Sequence, residues 1–419
     1  VVDVLRGMAW LLLPALAAAQ TPNNVPLHDP SRITKVDGRY FVYSTGNNIS
    51  YRSSTNLINW TSSSSVFSSP PAWTTAAVPG FVNTFWAPDV AYVNGKYHLY
   101  YSVSTFGSQV SAIGLATNPT LNPQSPGYQW TDQGAVIQSQ VGSPYNAIDP
   151  GIFLNDDGRM WMTFGSFWNG IYITELDPAT GKRKLNAPTT WLARSSLPSN
   201  PIEAAYLHKR NNMYYLFVNW GTCCAGVNST YEIRVGRSAS PTGPFLDKNG
   251  VAMTANGGSL LLATEGNQIG PGHFSFFEES GKEYFSYHYY DGGQNGRSEL
   301  GLRPLAWTPQ GWPLLADTLK PADFNTDGVV DALDLAKWRG AFGIDGSATA
   351  DNDGDSDGAD FLAWQRQLTA RPVTAAHDAA PEPMSATHLA AAACGLAAAR
   401  RSRRGGCRTS HRPCRVYSA

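Results

Sequence analysis

From Gln20 to Asp317 apolar residues fall in short alternating runs, each closed by Gly, Asn, Asp or Pro, and Tyr, Trp and Phe crowd the runs. Such a pattern predicts brief half-buried strands joined by tight turns, hence an all-β domain. One unit recurs five times: a polar or small residue, an alternating strand, a Gly or Asn turn, then an aromatic-rich strand. The copies are DPSRITKVDGRYFVYST from Asp29, WAPDVAYVNGKYHLYYS from Trp86, DPGIFLNDDGRMWMTFGS from Asp149, EAAYLHKRNNMYYLFVN from Glu203 and GHFSFFEESGKEYFSYH from Gly272. In each the turn residue (Gly38, Gly95, Gly158, Asn212, Gly281) stands nine positions after the first. A constant offset sets the register of the hairpin. Further strand-like text follows, such as ISYRSSTNLINW and IYITELDPATGK, enough for four strands per unit. The fold class predicted for residues 20–318 is therefore a five-bladed β-propeller, with the innermost strands lining a channel.

If the copies are equivalent, Asp29, Trp86, Asp149 and Glu203 converge at one mouth of that channel, and His273 lies one residue along in the fifth copy. A lone Asp-Pro is ordinarily a turn former. Three acids at one phase of a repeat repel one another and lose hydration, which raises at least one pKa and points to chemistry. Glycoside hydrolysis needs a protonated carboxyl for the leaving oxygen and an ionised one to activate water or attack. A third carboxylate tunes the acid by repulsion. Flat aromatic faces suit the apolar side of a sugar, and the candidates are Trp86, Phe85, Trp168 and Tyr289, with Asp89 of the same strand for hydroxyls. For Trp168 and Tyr289, packing between blades is an equal reading.

The net charge of −1 hides opposed segments. Ten Asp stand between Asp323 and Asp360 against Lys337 and Arg339, whereas the tail carries Arg400, Arg401, Arg403, Arg404, Arg408, Arg412 and Arg415. A dense basic cluster is found only in the tail, which argues against a nucleic-acid groove, and no nucleic-acid partner is expected. Arg6, the apolar run Met8–Ala19 and Ala17-Ala18-Ala19 have the layout of a secretory signal over residues 1–19. Of five cysteines only Cys223 and Cys224 fall in the propeller segment, and as neighbours they form either a strained ring or two free thiols.

Across Pro26 to Leu315 the chain resembles glycoside hydrolase family 43, and its endo-arabinanases above all. HDPSRI at His28, WAPDV at Trp86, NAIDPG at Asn146, PIEAAY at Pro201, CCAGVNSTYEIRVGRS at Cys223, SPTGPFLDKNGVAM at Ser240 and GPGHFSFF at Gly270 carry the likeness. The resemblance implies an inverting hydrolase of α-1,5-arabinan or a related pentose polymer, acting as a monomeric catalytic domain. Asp29 would be the general base, Glu203 the general acid, and Asp149 the group that raises and orients that acid. His273 matches the histidine that family members hold near an ion, commonly calcium. An exo-acting arabinofuranosidase or xylosidase and a non-catalytic sugar-binding propeller are the alternatives; the acids argue against the last.

Over residues 319–369, DFNTDGVVDALD sets Asp323, Asn325, Asp327, Asp331 and Asp334 at positions one, three, five, nine and twelve of a calcium loop, with Gly328 at the turn. A second copy carries Asp351, Asp353, Gly354, Asp357 and Asp360 in phase, with Thr349 at its first position. Trp338 and Trp364 each follow the loop's last acid by four residues. The pair resembles a type I dockerin, which implies structural calcium and a cohesin partner; a calcium-stapled spacer is the plainer reading. Residues 370–419, with Pro381-Glu382-Pro383, the Leu389–Ala399 run and the Arg cluster, resemble a PEP-CTERM sorting tail. At about 1.5 Å per helical residue that run falls short of a bilayer core. Signal and tail together predict a secreted or cell-envelope protein.

Overall fold

Two-residue turns set the hairpins. Asp37-Gly38, Asn94-Gly95 and Asn211-Asn212 all have positive φ at both positions, between the pairs Val36 and Arg39, Val93 and Lys96, Arg210 and Met213. This is the turn whose twist matches that of paired strands. The computed structural model describes residues 22, 24–279, 281–315, 322–325, 330–350 and 354–368. The signal segment, the tail, Asp327, Gly328, Asp351 and Asp353 lie outside the described residues.

Five sheets follow one another along the chain, and they form the predicted five-bladed propeller. Blade one contains Thr34–Val36, Arg39–Ser44, Ser50–Ser54 and Ser64–Ser65. Blade two contains Thr84–Val93, Lys96–Val103, Ser111–Asn118 and Thr131–Ser139, with Gly46–Asn47 paired to its inner strand. Blade three runs through Gly151–Leu154, Met160–Phe164, Ile171–Leu176 and Thr189–Ala193. Blade four runs through Ile202–Arg210, Met213–Trp220, Glu232–Ser238 and Ser259–Leu262, and blade five through Gln268–Glu279, Lys282–Asp291, Arg297–Trp307 and Pro313–Leu315. The ring closes where Leu27 N–H donates to Ser298 O at 3.1 Å and Leu300 N–H to Val25 O at 2.9 Å.

Because both faces of a blade are covered by neighbours, its strands bury apolar residues on both sides. Separate clusters fill the five interfaces: Phe41 with Leu99, Tyr100 with Met162, Ile173 with Leu216, Phe217 with Phe274, and Val42 with Leu302. Each fully buried side chain of this size contributes about 1.5–3 kcal/mol.

At the hub the five units differ from strict equivalence by one residue. A left-handed residue precedes or interrupts each inner strand: Asp29, Ala87, Asp149, Ala204 and His273, with φ of 51°, 44°, 58°, 53° and 61°. Asp29, Asp149 and His273 therefore share one position, whereas Trp86 and Glu203 sit one residue earlier, in the place of His28 and Ile148. Each of these five N–H groups donates to a side chain of the preceding blade. The acceptors are His288 Nδ1 at 3.1 Å, Thr45 Oγ1 at 2.9 Å, Ser102 Oγ at 2.9 Å, Asp149 Oδ2 at 3.1 Å and Asn219 Oδ1 at 2.9 Å. Four acceptors come from the second strand or its end. In blade three that position is Gly165, where a Cβ would collide with the Gly170 carbonyl oxygen. The Asp149 carboxylate supplies the missing acceptor.

The unit from Ala322 onward contains the helices Ala332–Ala341 and Gly358–Gln367. Asp331 with Asp334, and Asp357 with Asp360, close capping boxes at the two helix starts. Trp338 Nε1–H donates to Asp357 O at 2.9 Å and Trp364 Nε1–H to Asp331 O at 2.8 Å, a reciprocal pair. Phe324, Val330, Ala341, Ala348 and Trp364 form its small core.

Candidate active site

A cavity of about 780 Å³ opens at the hub, and Asp29, Trp86, Asp149, Trp168 and Glu203 all line it. Asp29 belongs to blade one and Glu203 to blade four, which do not adjoin, so the two acids face each other across the axis. Asp149 comes from blade three, beside Glu203.

Asp29 is encased in donors. Thr45 Oγ1 donates to its Oδ2 at 2.6 Å, His28 Nδ1 lies 2.8 Å from the same oxygen, and His273 Nδ1 lies 3.5 Å from Oδ1. Burial alone would raise this carboxyl, but the charge and hydrogen bond of His28 hold it well below the usual carboxylate range. His288 Nδ1 also lies 3.5 Å from Oδ1. Since that nitrogen accepts the Asp29 N–H, the ring is neutral and the contact is no ion pair. Burial holds His288 well below its ordinary value, in agreement. His28 stacks on His288 with centroids 3.9 Å apart and its Nε2 is 2.6 Å from Tyr290 Oη, which accepts the Cys224 N–H at 2.7 Å. Burial opposes a charge on His28, yet Asp29 beside it raises its pKa.

Glu203 has the opposite environment. Burial and the Asp29 charge outweigh the Ser166 hydroxyl, which donates to Oε2 at 2.6 Å, and push Glu203 up to about 7. Burial raises Asp149 well above its ordinary value too, helped by the Glu203 and Asp29 charges and opposed by the Ala204 N–H. The pair thus holds a proton at neutral pH while Asp29 does not. An ionised carboxylate opposite a protonated one is a base and an acid in one cavity.

Cys223 and Cys224 form a disulfide that lines the same cavity, which decides between the ring and the free thiols. Trp86 meets the exposed Phe106 at 5.0 Å between ring centroids. Three expected substrate contacts lie elsewhere. Phe85 is fully buried against Phe81 and Tyr101, because strand alternation turns it away from the side of Trp86. Tyr289 likewise points between blades, near Tyr287, while its neighbours His288 and Tyr290 reach the hub. Asp89 is 2 % exposed and pairs with Arg32, at 3.1 Å from Nε to Oδ1 and 2.9 Å from Nη2 to Oδ2, and accepts Ile152 N–H at 2.9 Å. It stitches blades one, two and three further along the channel and does not line the cavity.

Thr45, Ser166, His288 and Tyr290 complete the surroundings of the acids without being singled out by the sequence. Only His28, beside Asp29 in HDPSRI, had a visible signal; the others come from second strands and loops whose approach depends on ring closure. His273 Nδ1 faces the Asp29 carboxylate, and Asn219 Oδ1 accepts its backbone N–H; these residues supply few of the roughly six to eight oxygens that calcium takes, so water would have to complete a calcium shell there.

The model of "Glycosyl hydrolases family 43" matches residues 23–313. An "Extracellular exo-alpha-(1->5)-L-arabinofuranosidase ArbA" from Cellvibrio japonicus is 40% identical over 321 residues, covering 73% of this chain and 91% of its own. An "Extracellular endo-alpha-(1->5)-L-arabinanase 1" from Bacillus subtilis is 41% identical over 307 residues, covering 72% and 91%. The solved structure of a Cellvibrio cellulosa alpha-L-arabinanase complexed with arabinohexaose superposes with a TM-score of 0.67 at 38% identity, over 70% of this chain and 96% of that one.

Proposed function

As this chain belongs to glycosyl hydrolase family 43 and is a glycoside hydrolase, we propose that it hydrolyses α-1,5-linked arabinan, cutting internal bonds with inversion. Support comes from one cavity that joins an acid pushed up to about 7, a base held low, and two indoles. Asp29 takes a proton from water as the water oxygen bonds to the anomeric carbon. Glu203 gives its proton to the departing glycosidic oxygen, whose bond to that carbon breaks. Asp149, adjoining Glu203, shares one proton with it because the two carboxyls cannot both be charged so close together, and so modulates the acid; through the Ala204 N–H it also fixes the backbone beside it. Exchange with solvent then resets both groups.

Relatives named as arabinanases, and one solved with arabinohexaose, support arabinan as substrate. The Cellvibrio relative's exo-acting name carries the second reading, release of arabinose from chain ends. Incubating the protein with debranched arabinan while following product length and anomeric configuration separates them: oligomers of inverted configuration are expected, and monosaccharide from the outset points to the exo reading. Glu203→Ala slows the reaction by at least about a hundredfold; an unchanged rate removes Glu203 from its role.

For the C-terminal unit we propose structural calcium and a dockerin-like role toward a cohesin. The Asp355, Asp357 and Asp360 carboxylates lie within 4.8 Å of one another, an oxygen-only set that suits calcium. In the first loop Asp323, Asn325, Asp327, Asp331 and Asp334 would hold the ion, and in the second Asp351, Asp353, Asp357 and Asp360. Relatives named extracellular support export, for which we propose the 1–19 segment as the signal and the tail as a sorting signal.

A further inference from the structure

Trp168 lines two cavities. Beyond it, away from the acids, lies a second depression of about 340 Å³ walled by Trp168, Asn169, Tyr172, Trp191, Arg194 and Asn200. None of these is a carboxylate, so the depression can bind but has no acid or base for hydrolysis.

Its two indoles are presented rather than packed. Trp168 is 39% exposed and Trp191 is 41% exposed. Trp168 has φ of 38° and Phe167 of 50°, both left-handed, a conformation that persists only where the surroundings impose it. The imposition comes from Asn200, whose Nδ2 donates to Trp168 O at 2.9 Å while its Oδ1 accepts Ser195 N–H at 2.7 Å. Trp191 is held by its own N–H, which donates to Asn169 O at 2.7 Å, so its polar edge is satisfied. Arg194 is exposed, and its guanidinium meets no acceptor among the described residues. An indole with a satisfied edge beside a donor-rich guanidinium is a surface for a sugar: a ring face for C–H groups and donors for hydroxyl oxygens.

Trp191 lies on the outermost strand of blade three, Thr189–Ala193, three strands out from Gly151–Leu154 at the hub. At about 4.8 Å per strand this is roughly 14 Å. A polymer spans that distance and a single pentose does not. We propose that Trp191 and Arg194 form a distal subsite that grips an arabinofuranose unit of the polymer several residues from the bond being cut. Its occupant follows from the arabinan reading, on which this inference rests. The subsite makes the enzyme faster on long chains than on short ones.

The test compares wild type, Trp191→Ala and Trp191→Phe on arabinotriose, arabinohexaose and debranched arabinan. Trp191→Ala lowers kcat/KM on arabinan and the hexaose by about five- to tenfold, the range of one aromatic contact, and leaves the triose unchanged. Trp191→Phe keeps a ring but not the N–H, and stays near wild type on every substrate. Equal losses on triose and polymer, or a Trp191→Phe as impaired as Trp191→Ala, mean that the residue only anchors the loop, and overturn the subsite. So does a Trp191→Ala that is unaffected on arabinan. A wild type inactive on all three substrates overturns the arabinan reading itself, and the subsite with it.

Discussion

Ser166→Ala removes the hydroxyl that donates to Glu203 Oε2 at 2.6 Å. That bond favours the ionised carboxylate, so its loss moves Glu203 further upward. A hydrogen bond to a charged group contributes about 1.5–3 kcal/mol, and one pKa unit is about 1.4 kcal/mol, so the rise is roughly one to two units. Glu203 acts as an acid only while it holds its proton; wild-type activity therefore falls as pH rises through about 7. In the variant the fall comes one to two units later, at about pH 8 to 9. The acidic limb belongs to Asp29, held low by His28 rather than by Ser166, and does not move. The assay is kcat/KM on debranched arabinan across the pH range. In strongly alkaline buffer the variant outpaces wild type, although it has lost a contact in the site. An alkaline limb that stays put or shifts toward acid refutes the argument.

Asp89→Ala leaves the half-buried Arg32 guanidinium without its carboxylate and the Ile152 N–H without its acceptor, and destabilises the fold by about 3 kcal/mol in urea denaturation, the low end for a broken buried pair, with KM unchanged while the protein is folded. Phe85→Ala and Trp86→Ala separate core from site. The first costs about 3–5 kcal/mol of stability with little change in KM, and the second lowers kcat/KM with the melting temperature nearly unchanged. Chelating calcium unfolds the helices Ala332–Ala341 and Gly358–Gln367, seen as lost helical circular dichroism, without slowing arabinan hydrolysis.

The repeat carried much of the fold because Gly38, Gly95 and Asn212 mark hairpins whose local geometry is independent of the rest of the chain. It also grouped Asp29, Asp149 and Glu203, since residues at one level of equivalent inner strands must meet at the axis. Sequence reading failed where a single residue of phase decides. Trp86 and Phe85 are neighbours, yet one lines the cavity and the other is core; His288 and Tyr290 reach the hub while Tyr289, between them, does not. Composition could not separate Asp89 from the working acids either, because its ion pair with Arg32 forms only once blades one and two lie side by side.

Gly165 leaves one gap in a girdle of side chains that otherwise ties every blade to the next, and the Asp149 carboxylate fills it. One residue therefore serves as both a structural strut and a reactive group, and truncating it removes two things at once. The lost rate of an Asp149→Ala protein would overstate the chemical share of that residue. Asp149→Asn still offers an oxygen to Ala204 while giving up its charge, so the two substitutions compared apportion one side chain between architecture and catalysis.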